Sequence, residues 1–269
     1  MRRICISALA LSALSGSAYA DSIQNIFSPY APSAPTYAGQ EQAPQAAAAP
    51  QTQAGAQAPS SAPTPLDRYL KNLKTLRVKF LQTIADPQGA EVGRSTGTLI
   101  VERPGKFRWD IHPQSTGQSA AAGQGAAPAP ASSADSGQLM VSDGRNLWYL
   151  DRDLQQVTVR PVTAALSATP AMLLSGTVDV REHFTETSIG ARAGLDWVYV
   201  EPRSTEADFK SALFGFDGKG TLERMILEDK LGQVVTIIFQ DVAVNVPVPA
   251  KELTFTPPAG ADVIGTPAQ

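Results

Sequence analysis

The chain has 269 residues, with 22 Lys and Arg against 25 Asp and Glu, a formal net charge of −3. That mild acidity argues against nucleic acid as a partner, because phosphate recognition needs a clustered basic footprint. A single cysteine excludes a disulfide framework, and no stretch reaches the roughly 20 consecutive apolar residues of a membrane-spanning helix.

The first residues read as an export signal. Arg2 and Arg3 form a positive start, residues 4–14 are apolar, and Ala18-Tyr19-Ala20 is a small-x-small cleavage site. Residues 1–20 are therefore expected to be a secretory signal peptide that exports the chain and is cleaved. A lipoprotein signal would need a Cys directly after the apolar run, and Cys5 stands at its start. The mature chain is expected to begin at Asp21 without a lipid anchor, two charges more acidic for the loss of Arg2 and Arg3. It enters an oxidising space, so its core must hold without disulfides.

Residues 21–65 are mostly Ala, Pro, Gln and Ser, with Asp21 and Glu41 as the only charges. Such a segment cannot bury enough surface to offset its ordering entropy, and a disordered arm is expected. One folded domain follows over residues 66–269.

Leu66, Tyr69, Leu70, Leu73 and Leu76 at helical spacing predict a short amphipathic helix over 66–76. Strands are expected at 77–84, 94–101 and 106–111, separated by Asp86-Pro87-Gln88-Gly89 and the Arg103-Pro104-Gly105 corner. In the third strand Phe107, Trp109 and Ile111 point to one face, and Lys106, Arg108 and Asp110 to the other. Residues 114–137 repeat the arm's composition and are expected to be a long flexible loop, since surface insertions cost little closure entropy. Strands at 138–142 and 146–150 meet at Asp143-Gly144, a tight hairpin turn, and a third covers 155–160. Either Trp148 or Tyr149 joins Phe107 and Trp109 on the core side. Thr169 as N-cap, Pro170 at the first position, apolar Leu173 and Leu174, and Gly176 as a stop predict a second helix. Six further strands are expected, at 183–189, 195–200, 209–216, 222–228, 234–240 and 252–255. Asp217-Gly218 and Leu231-Gly232-Gln233 provide hairpin turns. Many short strands with two or three helices imply a mainly β fold, one strongly curved antiparallel sheet. Its concave side is to be covered by the helices near Leu66 and Pro170.

Gly93-Arg94-Ser95-Thr96-Gly97 has the spacing of a hydrolase nucleophile motif, but that motif requires a strand-to-helix elbow. Here more strand follows. His112 and His183 are the only histidines and lack metal-ligand spacing. Asp151 and Asp153 lack an oxygen-rich Ca²⁺ loop, and no phosphate-binding glycine motif occurs. No enzyme activity, metal or cofactor is expected. Taken singly, the strand aromatics are ordinary core residues and Arg103 an ordinary solvated turn residue.

Taken together, these motifs resemble the periplasmic outer-membrane lipoprotein carrier (LolA) family. The likeness rests on Gly97-Thr98-Leu99 through Arg103-Pro104-Gly105-Lys106-Phe107-Arg108-Trp109 and on Val141-Ser142-Asp143-Gly144-Arg145-Asn146-Leu147-Trp148. It continues through Gln156-Val157-Thr158-Val159-Arg160-Pro161 and Thr169-Pro170-Ala171-Met172-Leu173-Leu174. Phe255-Thr256-Pro257-Pro258-Ala259-Gly260-Ala261-Asp262-Val263-Ile264 closes the series. The resemblance implies a monomeric, incomplete β-barrel with a helical lid over an apolar cavity for acyl chains. It implies acylated lipoproteins as cargo, an inner-membrane lipoprotein-releasing ABC transporter as donor and an outer-membrane acceptor lipoprotein as receiver. By resemblance Arg103 gates the lid, Phe107 lies near the cargo entrance, and Trp109, Trp148, Met172 and Leu173 line the cavity. Lipid-sensing regulators of envelope stress share this half-barrel but add a second domain, for which the folded length leaves no room. An acceptor of the outer-membrane type would need a lipidation Cys.

Overall fold

The computed structural model describes residues 62–114, 136–162, 170–177, 180–205, 207 and 209–268. The expected signal peptide, nearly all of the arm, most of the 114–137 insertion and the Thr169 cap lie outside the described residues.

The first helix, α1 (Pro65–Asn72), starts inside the segment assigned to the arm. Thr64 Oγ1 accepts from Asp67 N at 3.0 Å and the Asp67 carboxylate accepts from Thr64 N at 3.1 Å, a reciprocal capping box with Pro65 just inside it. The helix ends at Leu73, which is extended. It is shorter than its leucine spacing predicts because Leu76 is instead the first of the alternating buried residues Leu76, Val78 and Phe80 of a strand.

That strand is β1 (Thr75–Ala85), followed by β2 (Glu91–Glu102), β3 (Lys106–Pro113), β4 (Gln138–Asp143), β5 (Asn146–Asp151) and β6 (Gln156–Pro161). Two short helices intervene, α2 (Pro170–Ser175) and α3 (Val180–His183). The series resumes with β7 (Phe184–Arg192), β8 (Leu195–Pro202), β9 (Phe209–Phe216), β10 (Leu222–Asp229) and β11 (Val234–Val244). It closes with β12 (Asp262–Ile264).

All twelve strands form one sheet in the order β12-β6-β5-β4-β3-β2-β1-β11-β10-β9-β8-β7. Neighbours are antiparallel except β12, which pairs parallel to β6. The outermost strands, β12 and β7, do not pair, so the sheet stays open rather than closing into a barrel. One face carries the main apolar cluster, built from α1, α2 and inward residues of strands across the sheet. On the other face Leu139, Val141, Leu150 and Val157 form a smaller cluster with Trp148 and Phe255.

Two expected strands are otherwise in the structure. His183 ends α3 rather than starting β7. Ala250–Glu252 is a 3-10 turn and no strand covers 252–255; Pro247, Pro249, Pro257 and Pro258 flank this segment, and prolines cannot donate to a ladder. Sequence reasoning missed β12, whose three residues are all exposed and so show no alternation. At the Asp217 turn it is Gly220, not Gly218, that takes positive φ.

Ser95 lies in the interior of β2, paired with Gln82 and Pro113. Gly97 has its own reason: a Cβ there would collide with the Asp110 carbonyl and the Phe80 ring. The nucleophile-like spacing is a strand with a close approach, not an elbow.

Candidate functional site

The chemistry of this face centres on α2. Ala171, Met172, Leu173, Leu174 and Ser175 are each at most 1% exposed, so no described side chain of the helix faces water. It packs on β2 and β3. A six-residue helix is far too short to persist alone, so its packing and its end contacts hold it.

The last carbonyls of a helix have no intrahelical partner and must find one elsewhere. In α2 each has a named contact. Met172 O accepts from Ser175 Oγ at 3.0 Å and Leu173 O from Gly176 N at 3.4 Å, both local. The other two reach across to the β2–β3 corner. Leu174 O lies 3.5 Å from Arg103 Nη1, and Ser175 O accepts from Gly105 N at 2.8 Å.

Arg103 spreads its guanidinium over Gly176. That glycine has φ +69°, and a Cβ there would sit 2.6–2.8 Å from Arg103 Nη2, Cζ and Nε. It is glycine for two reasons at once: left-handed backbone, and room for the cation. The corner is itself braced. The Gly105 carbonyl accepts from buried Ser142 Oγ at 2.6 Å, and Arg103 N donates to Lys74 O at 2.8 Å. Sequence reasoning took Gly176 only as a stop and passed over Ser142.

Phe107, Trp109, Met172 and Leu173 share the helix-side cluster, with Ile111 packed against it. Trp148 does not. Its ring tilts against Phe255 at 5.5 Å on the opposite face, and its indole N–H donates to Asp143 Oδ2 at 3.2 Å. The strand period decides this: Leu147 belongs to the helix-side cluster, so its neighbour must turn away. Of the two aromatics left open, Tyr149 takes the helix side, paired with Met140, which packs against that cluster.

Also on the face away from the helices, Asp110 gathers Arg152 at 2.7 Å, His112 at 3.1 Å and Arg108 at 3.8 Å. Burial opposes ionisation of Asp143, but backbone N–H bonds from Asn146 and Arg145, helped by the Trp148 indole, hold its carboxyl below the usual range.

A second polar group ties α1 to its surroundings. Arg181 on α3 bonds Asp67 at 2.9 Å, and Thr64 Oγ1 donates to Glu186 Oε2 on β7 at 2.6 Å. Burial pushes the Glu186 carboxyl up, and nearby Asp67 adds to the rise. Burial works against Asp67 as well, but the bonds from Arg181 and Thr64 outweigh it and lower its pKa. Among the described residues there is no grouping of His, Cys, Asp and Glu able to hold a metal ion.

Residues 71–117 and 132–256 match the family described as outer membrane lipoprotein carrier protein LolA. The outer-membrane lipoprotein carrier protein of Dechloromonas aromatica is 38% identical over 200 residues, covering 74% of this chain and 86% of that protein. Its counterpart in Nitrosospira multiformis is 36% identical over 199 residues, covering 74% and 86%. That of Methylibium petroleiphilum is 37% identical over 199 residues, covering 74% and 87%. The matched stretches include β1 to β11, the Arg103 corner and α2. On this agreement of sequence, over an open sheet with helices on one face, the chain belongs to the outer-membrane lipoprotein carrier protein (LolA) family.

Proposed function

We propose that the protein is a periplasmic carrier of acylated lipoproteins. It takes them from an inner-membrane lipoprotein-releasing ABC transporter, shields their acyl chains on its helix-covered face, and passes them to an outer-membrane acceptor lipoprotein. A triacylated cargo carries on the order of 45 methylenes at about 0.8 kcal/mol each, so roughly 35 kcal/mol opposes its release into water. Only a container with an apolar lining of its own can take such a cargo across an aqueous space.

The observation that carries this reading is α2. It is a buried, mainly apolar plug on an apolar seat, and its polar ties to the sheet among the described residues lie at one end, at Gly105 and Arg103. Burying Met172, Leu173 and Leu174 contributes about 1.5–3 kcal/mol each. That is enough to close the empty protein and far less than the cargo offers in exchange. Acyl chains displace the plug and occupy the surface it leaves, with Phe107, Trp109 and Leu99 among the residues they meet. In this scheme Arg103 gates the exchange. The energy of extraction comes from the exporter, and delivery needs only an acceptor that binds the cargo more tightly.

Depletion of the protein followed by membrane fractionation tests this. Outer-membrane lipoproteins should accumulate in the inner membrane, and restoring the protein should clear them. Unchanged outer-membrane lipoprotein content after depletion would overturn the carrier reading.

A further inference from the structure

The helix-side cluster holds a hydrogen-bond donor with nothing to donate to. Trp109 on β3 is 6% exposed, and its indole Nε1 is buried without an acceptor. The protein's other two tryptophans differ: Trp148 donates to Asp143 Oδ2 at 3.2 Å and Trp197 to the Arg192 carbonyl at 3.0 Å. Buried indole N–H groups ordinarily find a partner, and an unmet one costs more than a typical bond returns. A phenylalanine would occupy most of the same place without that cost, leaving only a small void. The surroundings of Trp109 offer little to bond. Phe80 meets it edge to face at 6.0 Å, and its cross-strand neighbours are Leu99 and Met140. An aromatic face is a weak substitute for a carbonyl.

The donor lies on the strand against which α2 packs, the helix that the carriage reading displaces, so its partner is sought in whatever replaces that helix. Such a ligand must be mainly apolar and must bring an acceptor without bringing a donor or a charge. An ester carbonyl meets those terms. An amide adds an N–H that would itself need an acceptor, a thioether sulfur accepts weakly, and a carboxylate carries a charge that is expensive to bury. We propose that Trp109 Nε1 donates to an ester carbonyl of the cargo, so that the carrier distinguishes ester-linked acyl chains from the same chains joined through ethers. This rests on the carriage reading and makes Trp109 a determinant of specificity rather than a filler of the core.

The test uses the full mature protein and its Trp109→Phe variant. The probes are two synthetic S-glyceryl-cysteine peptides with identical chains, one diester and one diether. Calorimetry gives their affinities, and thermal unfolding gives the stability of the empty protein. Wild type should prefer the diester, and Trp109→Phe should bind the diester about five- to tenfold more weakly. The diether should lose less, only what the smaller ring takes from packing, so the wild-type preference for the diester should shrink in the variant. The empty variant should lose less stability than an ordinary large-to-small core change costs, because the unmet donor leaves with the indole. Equal losses for both peptides, or no loss for either, would show that Trp109 only packs. If wild type binds neither peptide, the carriage reading itself fails, and this inference fails with it.

Discussion

Two helices rest on the same face of the sheet and are held there in opposite ways. Helix α1 supplies its own N-cap, keeps Arg68, Lys71 and Asn72 in water, and buries Leu66 and Leu70 beneath. Its start is tied to α3 through Asp67–Arg181 and to β7 through Thr64–Glu186. Helix α2 buries every one of its described side chains, and two of its four terminal carbonyls are met by a corner of the sheet. Distributed ties make α1 part of the scaffold. In the carrier reading proposed above, the concentrated polar ties of α2 leave its burial as the main thing for cargo to replace, while the rest of the sheet keeps its ladder.

The largest effect should separate the helices by core truncation. Leu66 and Leu173 are each 1% exposed and lie in one cluster. Leu66→Ala should lower global stability by about 2–5 kcal/mol, the ordinary cost of such a cavity. Leu173→Ala should change global unfolding far less, because α2 can open as a local unit and cap the loss. Urea unfolding gives the first quantity, and hydrogen exchange at the α2 amides should show the second as faster local opening. Equal global losses for the two variants would make α2 scaffold too.

Next comes Gly176→Ala, which acts on the release point alone. The left-handed backbone and the collision with the Arg103 guanidinium should together cost about 1–3 kcal/mol. The loss should appear as exchange at α2 with α1 unchanged. Removal of the cation should relieve part of it, so Gly176→Ala combined with Arg103→Leu should fall short of the sum of the single changes. Strict additivity would place the two residues on independent paths.

Arg103→Leu alone should be milder. At 3.5 Å its bond to Leu174 O is long, so its loss should cost about 1 kcal/mol, roughly a fivefold shift toward the open state. The variant should take up cargo and pass it on poorly, since the empty closed form that follows delivery has lost a stabilising contact. Transfer from loaded carrier to purified acceptor measures this. Wild-type transfer would reduce Arg103 to a turn residue.

How far the chain announced this arrangement depends on which residues are asked. The period of two in Phe107, Trp109 and Ile111 placed β3 against the core correctly, because a half-buried strand leaves its alternation in the sequence. Trp148 was misplaced because aromatic character alone does not choose a face; its register against Leu147 does. The α1 boundary drifted because Leu73 and Leu76 satisfy both helical and strand patterns. Gly176 was legible as a helix stop and residues 103–105 as a corner, but the bonds that join Ser142 and Ser175 to Gly105 were not, since they link residues far apart in sequence and follow from no local rule. The β12 pairing was hidden because a strand with every side chain exposed has no pattern to read.

The smallest effect concerns the α1 anchor and turns on pH. Glu186 sits half-buried with Oε1 unpartnered, and burial raises its pKa. A carboxyl raised in the folded state favours folding below its unfolded value, and that contribution is lost as pH rises through the folded value. Asp67 runs the other way. Its pKa is lowered once the Arg181 and Thr64 bonds outweigh burial, so its contribution is present above the ordinary carboxylate range and is lost as pH falls through the lowered value. Near neutrality Asp67 therefore supports the anchor, while Glu186 carries a charge that burial and Asp67 disfavour more than the Thr64 bond and Arg181 favour it. Glu186→Gln keeps an oxygen to accept from Thr64 and removes that charge. It should stabilise the protein at neutral pH by less than about 1 kcal/mol. The gain should vanish below about pH 4, where the native glutamate is itself protonated. Asp67→Asn should do the reverse, costing stability at neutral pH and little in acid. Thermal unfolding of both variants across this range reads the two signs. If Glu186→Gln destabilises at neutral pH, the ionised carboxylate is an attractive partner of Arg181, and the α1 anchor is a three-membered ion cluster rather than a cap beside a strained acid.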